Sequence, residues 1–380
     1  MMEINRRQFL GWLAASPVLL QTNSVQASSS QAPKAPDISA ATLRFASASQ
    51  SINGQNYLHL FNGRGEPLLG HPLPCRAHQV ISHPTQPWLF AVSRRPGKSI
   101  DVVDYQSGTL VQRINCANGY HLYGHAQISL DGRYLITTEK SDPHDDGRIV
   151  IRDIHRHFEI TQEYSSAGIG PHELRLSPDQ KTLVIANGGI KTQGREKINL
   201  ESMQPSLVYL NMYTGRLLEQ VRMPEEYHQS SIRHLDIAAN GQVIIAMQYQ
   251  GNPGDSVPLI ACHTRGKPIQ PLNIPPRIYS RLNQYCGSAC FDSSGSYAAI
   301  SSPRGNIITL WDMKAQQFSR AVKVKDGCGI AKAGRTGEFL VSSGTGRLYT
   351  LNAQTSARPS LLAAPENIQW DNHLSFISHP

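Results

Sequence analysis

Apolar stretches with the alternation of a β-strand recur along this chain. Each runs into a polar turn and a second apolar stretch, and this unit occurs seven times. In the third and clearest unit, residues 173–177 alternate, residues 177–180 have turn chemistry, and further strand-like segments follow at 182–187, 206–211 and 217–223. Four short antiparallel strands joined by turns form one blade of a propeller. The pattern therefore predicts an all-β fold, a seven-bladed β-propeller.

The last unit holds only one strand of a blade, because the sequence ends shortly after residue 373. Three strand-like segments near the other end, at 43–48, 57–61 and 67–73, belong to no complete unit. Pairing them with the final strand completes a seventh blade and removes two free sheet edges. We expect the ring to close in this way, because a pair of β-sandwiches would not explain a blade divided between the two ends.

Five of the seven units begin with a histidine, whereas the other two begin at Gly287 and Cys328. A position that recurs in a radially repeated fold becomes a ring in space. Imidazole is a common neutral ligand of Zn, Cu and Fe, so a ring of imidazoles predicts a metal site at the channel mouth. A purely local role, with each ring capping a turn of its own blade, stays open. The predicted ligands are His78, His125, His172, His234 and His373.

The five histidines do not share one register. Counted to the following turn, His125 and His234 lie one residue closer than the other three. A shift of one residue turns a side chain to the opposite face of its strand unless a bulge compensates. The sequence therefore favours a smaller site on His78, His172 and His373, with one or two helpers, over a symmetric cage of five.

The loops between the second and third strands of the blades should lie on the same face as these histidines. Long polar loops on one rim of a rigid scaffold often build binding sites. Arg94, Arg95 and Arg304 lie in these loops and would make the face basic and suited to anions. Glu173 and Arg233 are adjacent to ring histidines, so they are candidates to support the ligands from behind or to bind an anion.

The N-terminal segment predicts an export signal. Arg6 and Arg7 precede an apolar run at 9–20 that is too short to span a membrane, and residues 25–27 suit a signal peptidase. An uncleaved anchor is the alternative. No later apolar run reaches the roughly 20 residues of a membrane span, so we expect a periplasmic mature chain without one. The predicted organisation is a twin-arginine (Tat) signal peptide at 1–27, a flexible linker at 28–40 and a single propeller domain at 41–380.

Composition and motifs exclude several functions. The net charge is +8, but the charges are scattered without a long basic run, which argues against nucleic-acid binding. The Cys-x-x-Cys-His motif of covalent haem is absent, as are the usual hydrolase and phosphate-loop motifs. Six cysteines could pair in an oxidising compartment. Cys286 and Cys328, just before neighbouring units, are the best candidate pair, although other pairings stay open.

Several segments together resemble a bacterial family of exported propellers of unknown function. Members of that family tend to be encoded beside imelysin-like periplasmic proteins linked to iron acquisition. The resemblance therefore implies a metal or iron context and an imelysin-like partner, and it assigns no activity. The segments that carry the resemblance are the twin-arginine signal, 124–132, Gly168-Ile-Gly-Pro-His-Glu-Leu174, 186–190, 205–210, Ser231-Ile-Arg-His-Leu235 and Ser302-Pro-Arg-Gly-Asn306.

The sequence thus leads to three functional hypotheses. The first is a periplasmic propeller that binds a metal ion (Fe, Cu or Zn) or a small metal complex at a histidine-lined channel mouth, in an iron-uptake context. The second is a protein-interaction scaffold that uses the basic loop face. The third is a lactonase-like or redox enzyme, for which Glu173 is the one carboxylate next to a ring histidine that could act as acid or base.

Overall fold

Seven four-stranded antiparallel sheets form a ring in the computed structural model, which describes residues 39–141, 146–193 and 196–377. In six of these sheets the strands pair in chain order from the innermost to the outermost, and in the seventh the last strand of the described chain is innermost. The innermost strands of successive sheets contact one another around a central axis, and the last contacts the first. The predicted seven-bladed β-propeller is therefore confirmed.

The first three strands of the described chain form the outer part of blade 7, and the following strands form blades 1, 2 and 3. A small hairpin lies between the second and third strands of blade 3. The last blade begins with β1 (Arg44–Ser51), β2 (Asn56–Asn62) and β3 (Pro67–Leu73). Blade 1 contains β4 (Ala77–Ser82), β5 (Trp88–Ser93), β6 (Ser99–Asp104) and β7 (Thr109–Asn115); blade 2 contains β8 (Tyr120–Ile128), β9 (Tyr134–Ser141), β10 (Asp146–Asp153) and β11 (Glu159–Ile169); blade 3 contains β12 (Pro171–Leu176), β13 (Thr182–Asn187), the hairpin β14 (Thr192–Gln193) and β15 (Glu196–Lys197), β16 (Ser206–Asn211) and β17 (Leu217–Val221).

Three further blades follow, and one short helix, α1 (Pro276–Leu282), connects blades 4 and 5. Single 3-10 turns occur at Ile154–Arg156, Leu200–Ser202 and Glu225–Tyr227. Blade 4 contains β18 (Ser230–Ile237), β19 (Val243–Tyr249), β20 (Ile260–His263) and β21 (Gln270–Pro271); blade 5 contains β22 (Ser288–Phe291), β23 (Tyr297–Ser302), β24 (Ile307–Asp312) and β25 (Gln317–Lys323); blade 6 contains β26 (Gly327–Lys332), β27 (Glu338–Ser343), β28 (Leu348–Asn352) and β29 (Ser360–Leu361); blade 7 is completed by β30 (Ile368–Ile377).

The ring closes between the two ends of the described chain. The final strand, β30, pairs antiparallel with β1, and the register runs from Arg44 opposite Ile377 to Ser51 opposite Ile368. The sheet order β30, β1, β2, β3 places the C-terminal strand innermost and three N-terminal strands outside it. The predicted closure is therefore confirmed, and it leaves neither end of the ring as an open sheet edge.

Burial explains why the inner strands read as nearly continuous apolar runs. Every residue of β13 is buried, because both faces of a blade pack against neighbouring blades. The outermost strand of the same blade, β17, has no buried residue. Side chains of adjacent blades interleave, as Val184 and Ala186 do with Ile245. A strand's position in its blade thus sets how strictly its sequence must be apolar.

One expectation from the sequence is wrong, and another falls almost entirely outside the described residues. All six cysteines lie within the described residues and are free thiols, so the predicted Cys286–Cys328 bridge is wrong. Burial raises the pKa of both thiols to about 12, so they behave as apolar core groups at neutral pH. The predicted signal peptide and all but the end of the linker lie outside the described residues. Among the residues that are described, no helix has the length and apolar character needed to cross a bilayer.

Candidate metal centre

A β-bulge interrupts the innermost strand of every blade that carries a predicted histidine ligand. In blades 1 and 3 the pairing register slips at His78 and His172 themselves, and in blade 4 it slips immediately before His234. In β8 and β30 the irregularity is larger, because residues 123–125 and 371–373, which end with His125 and His373, each lie opposite a single residue of the neighbouring strand. A bulge re-aims a side chain without ending the sheet. All five imidazoles can therefore converge on the axis despite their different spacing from the following turn.

The five side chains form one compact group, which we call the histidine cluster. His125 lies at its centre and is fully buried. The centroid of its ring lies 4.9 Å from that of His78, 5.0 Å from His172, 5.7 Å from His234 and 4.5 Å from His373. The other four rings surround it, with neighbouring centroids 4.6 to 5.8 Å apart. The structure thus brings together all five predicted ligands.

Two sets of three histidines have nitrogen atoms within 4.8 Å of one another, and both include His125. The first set adds His78 and His172, and the second adds His234 and His373. Three nitrogen atoms bonded to one metal at about 2.1 Å lie roughly 3.4–3.6 Å apart, so atoms within 4.8 Å of one another can share one ion if each ring moves inward by less than about 1 Å. The set of His78, His172 and His373 that the sequence favours is not one of these two groups, and a smaller site on it stays a prediction.

Several nitrogen atoms of the cluster are buried without a hydrogen-bond partner. They are both ring nitrogens of His78, both of His125 and Nε2 of His373. Buried polar atoms are nearly always hydrogen-bonded, and each one left without a partner costs about 1–3 kcal/mol. Five such atoms in one place are a strong departure from that rule. An electron-pair acceptor such as a metal ion would satisfy several of them at once.

Two buried carboxylates support the cluster from behind. An oxygen of Glu173 lies 3.0 Å from Nδ1 of His234, and its other oxygen lies 3.9 Å from Nδ1 of His125. Asp371 places an oxygen 3.9 Å from Nδ1 of His78. A carboxylate on the second nitrogen of a ligating histidine fixes the ring's orientation and raises its basicity. Glu173 was predicted from the sequence to support the ligands, whereas Asp371 was not. The position of Asp371 two residues before His373 was the one sequence feature that pointed to it.

The carboxylate of Glu173 is held in its charged form by its neighbours. Burial alone would raise its pKa, but the Arg175 guanidinium at 2.8 Å and the hydrogen bond to His234 outweigh burial and leave the pKa below the ordinary value. The backbone amide of Leu235 also donates to this carboxylate, over 3.3 Å. The carboxylate of Glu173 therefore lies close both to two histidines of the cluster and to the positive charge of Arg175.

Four histidines of the cluster favour their neutral form. Burial, followed by the charges of the neighbouring rings, holds the pKa of His125 well below 6.5. The pKa values of His172 and His373 are also held well below 6.5, again with burial as the largest cause, and that of His234 is lowered. A metal ligand must be a neutral imidazole, so these rings can bind a metal at neutral pH without first losing a proton.

The same shifts predict that the metal-free protein loses stability in mild acid. Below about pH 6.5 the unfolded chain takes up protons on these histidines while the folded chain does not, so stability falls as pH falls. Each such group contributes a slope of about 1.4 kcal/mol per pH unit. Urea unfolding at pH 7.5, 6.0 and 5.0 measures this slope. His172→Gln should make it shallower, and a free energy of unfolding that stays constant over this range would contradict the assignment.

Above the cluster, a cavity of about 240 Å³ opens on the loop face, and we call it the vestibule. Arg94, Arg95 and Arg233 line it, and Arg94 also lies 3.4 Å from Asp371. Burial and the nearby charge of Arg95 lower the pKa of Arg233 to about 10, so Arg233 remains a cation at neutral pH. Arg304 stacks over the ring of Tyr285 at 4.3 Å and does not line the vestibule. The remaining lining residues are His78, Tyr123, His172, His234, Gln248, Tyr285 and Asn372.

Close packing around the cluster depends on glycine at two points. A Cβ on Gly329, in a blade without a histidine, would lie 2.7 Å from the backbone nitrogen of Leu374. Gly124 has φ of +103°, and a Cβ there would lie 2.6 Å from the His78 ring. Only glycine adopts that conformation without strain and leaves room for the ring. The position before His125 therefore helps to place His78.

We expect Gly124→Ala to weaken metal binding although it removes no ligand. The added methyl group would displace the His78 ring, and disturbing the support of a metal ligand typically costs about 10–100-fold in affinity. Gly119→Ala is the matched control, since Gly119 also has a positive φ but has nothing within 4 Å of its added Cβ. Competitive metal titration compares the two variants. Equal affinities would show that the contact with His78 does not position a ligand.

Comparisons with known proteins give a family and a fold. A family model described as "Protein of unknown function (DUF1513)" matches residues 71–377. No curated protein matches the chain. Among solved structures, a chain titled "Kuenenia stuttgartiensis Hydrazine Synthase" is similar, with a TM-score of 0.62 and 16% sequence identity over 81% of this chain and 95% of that chain. At this identity the likeness shows a shared propeller-containing fold and nothing about activity.

Proposed function

Because this chain belongs to DUF1513, a family of unknown function, we propose its function from the site itself: the propeller binds a transition-metal ion, or a small complex of one, at its histidine-lined channel mouth. The observation that carries the proposal is the convergence of five buried imidazoles on the axis, where nitrogen atoms of His78, His125 and His373 have no hydrogen-bond partner. Burial favours the neutral form of His125 and His172, which can act as a ligand. The carboxylates of Glu173 and Asp371 lie 3.0 Å from Nδ1 of His234 and 3.9 Å from Nδ1 of His78, on the side where partners of ligating histidines are found.

A path from the loop face supports reversible loading of this site. Three histidines of the cluster, His78, His172 and His234, form part of the vestibule wall. An ion that enters the vestibule therefore meets imidazole nitrogens at its floor. His125 and His373 lie deeper and do not line the vestibule. We infer that the ion binds first to the three rings that line the vestibule and is then captured by the central one.

A set of neutral nitrogen ligands favours borderline metals. Imidazole suits Zn, Cu and Fe, whereas ligands for Mg and Ca are mainly oxygen atoms. The affinity of such a site for divalent ions generally rises along the series to Cu, so metal supply rather than affinity alone decides which ion is bound. We propose that the protein acts in the periplasm, where its predicted signal peptide would deliver it. We further propose that iron is its physiological metal and an imelysin-like protein its partner.

The metal content of the exported protein tests this function. Protein purified from cells supplied with Fe, Cu and Zn should contain about one of these ions per chain, as a single site requires. His172→Ala combined with His234→Ala removes one ligand from each set of three and should abolish that content. His71→Gln, which alters a histidine on an outer strand, is the matched control. Low content of all three metals, unchanged by the double substitution, would refute the proposal.

A further inference from the structure

Positive charge is concentrated in the vestibule without matching negative charge. Arg233 pairs with no carboxylate among the described residues, and its Nε atom is buried without a hydrogen-bond partner. Its Nη1 atom lies close to Gly188, at the start of the loop between the second and third strands of blade 3. A guanidinium group presents five donors in a fixed fork, so it rarely stays unpaired in a partly buried position. Arg233 therefore requires an acceptor from outside the chain.

The carboxylate nearest to the vestibule does not neutralise these charges. Asp371 already pairs with Arg76 and lies 3.4 Å from Arg94. Arg95 is exposed and lines the same cavity, where it contributes a further cation. No carboxylate of the described residues lines the vestibule. The cavity thus presents more guanidinium groups than the protein balances.

Binding of a divalent ion would increase this imbalance. The ion would add two positive charges directly beneath Arg233 and Arg95, in a partly buried region where charges interact more strongly than in water. The site can accept such an ion at low cost only if negative charge arrives with it. Arginine groups recognise planar and tetrahedral oxyanions through paired, charge-assisted hydrogen bonds. The charge distribution therefore specifies the class of the missing ligand.

We propose that the vestibule is an oxyanion subsite in which Arg233, Arg95 and Arg94 bind the carboxylate or phosphate oxygens of a small anion beside the histidine-bound metal. The combined site rests on the proposed metal function, whereas the arginine subsite also exists without metal. Tyr123, Gln248 and Asn372 supply further polar groups along its wall. The metal would thus be taken up together with an oxygen-rich anion and not as the bare ion.

The size of the vestibule limits the anion. A volume of about 240 Å³ lies below the roughly 300–1,000 Å³ of pockets for drug-sized ligands. Inorganic phosphate and a small polycarboxylate such as citrate are of suitable size. Both present the same oxyanion chemistry to the arginines, but only the polycarboxylate would arrive as a chelate of the metal. The two sources are therefore separable by experiment.

Calorimetric titration of the full protein with inorganic phosphate and with citrate, in both metal-free and metal-loaded states, tests the subsite. Trimethyl citrate is the neutral control ligand. Arg233→Gln should weaken anion binding by about tenfold or more, because it removes a charged donor but keeps a polar side chain. Arg95→Gln, an exposed substitution that leaves the core intact, should weaken it as well. Arg216→Gln, an exposed arginine in an outer turn of blade 3, should change nothing.

Each result either supports the subsite or overturns it. Citrate binding that is tighter in the metal-loaded protein supports a metal chelate as ligand, and equal binding in both states supports a free anion. Loss of anion binding in Arg216→Gln to the same extent as in Arg233→Gln would overturn the subsite, as would absence of binding in both states. A protein that binds metal but no anion would leave the proposed function standing. A protein that binds the anions but no metal would support the arginine subsite and contradict the proposed metal function.

Discussion

Replacing His125 with alanine is expected to abolish metal binding, with a loss of affinity of more than about 100-fold. Disturbing a residue that merely supports a metal ligand costs about 10–100-fold, and removal of a shared ligand should cost more. His125 belongs to both sets of three histidines and contacts all four other rings. Neither set is complete without it. Competitive titration with Zn and Cu, with circular dichroism to verify folding, measures the effect.

The fully buried position of His125 requires a second variant. Alanine leaves a cavity at the axis, whereas His125→Asn keeps a polar side chain and fills part of the space. Both variants should lose the metal, and His71→Gln should retain it. Retention of wild-type affinity in a folded His125→Asn protein would show that the central ring is not a ligand. The proposed site would then lack His125, the one residue that the two sets of three histidines share.

Replacing Glu173 with alanine is expected to destabilise the metal-free protein by about 3 kcal/mol. Removing one partner of a buried ion pair leaves the other charge without compensation. Glu173 is 2% exposed, and its loss would leave Arg175 with only the more distant Asp236, at 3.6 Å, and would strand the Nδ1 atom of His234 and the backbone amide of Leu235. The metal affinity should fall as well, by about 10–100-fold, since His234 loses its orienting carboxylate.

A surface ion pair provides the control for this substitution. Glu163 lies 2.6 Å from Arg148, but its side chain is 44% exposed. Exposed pairs typically contribute less than about 1 kcal/mol, so Glu163→Ala should change stability little and metal affinity not at all. Urea unfolding and metal titration of both variants give the comparison. Equal destabilisation by the two substitutions would contradict the role assigned to Glu173.

The fold could be predicted because blade packing imposes a simple pattern. Strands at 182–187 and 206–211 are found at the residues that the sequence predicts, since both are buried on each face and must be apolar. The outermost strand of the same blade ends at Val221, two residues before the predicted end. Because this strand is exposed, its residues need not be apolar, and the sequence pattern does not mark where it ends. Ring closure was predictable because a strand without partners at one end matched three at the other.

The histidine positions could be predicted, but their mutual geometry could not. Alternation along a strand assumes an uninterrupted register, and the bulges at His78 and His172 break it. Gly170 and Pro171 precede the bulge at His172, but no glycine or proline directly precedes the bulge at His78. The ring at the centre of the cluster, His125, was accordingly placed among the less favoured ligands. Pairing between strands had to be known before the rings could be placed.

Partners that are distant in the chain account for the other differences. Asp371 meets Arg76, Arg94 and His78 only because the ring closes between blades 7 and 1. Arg304 shares the loop face predicted for it, yet its guanidinium group stacks over the ring of Tyr285 and does not line the vestibule. Such choices depend on which neighbouring side chain lies within reach. A single sequence does not show which side chains of other blades lie within reach of a given residue.

Anomalous X-ray diffraction from crystals of the metal-loaded protein tests the central claim most directly. Data collected above and below the absorption edge of the bound metal locate the ion without reference to any variant. We expect a peak within the histidine cluster, about 2.0–2.2 Å from a nitrogen atom of His125 and from nitrogen atoms of at least two other histidines of the cluster. A peak elsewhere on the molecule, or no peak from fully loaded crystals, would contradict the account.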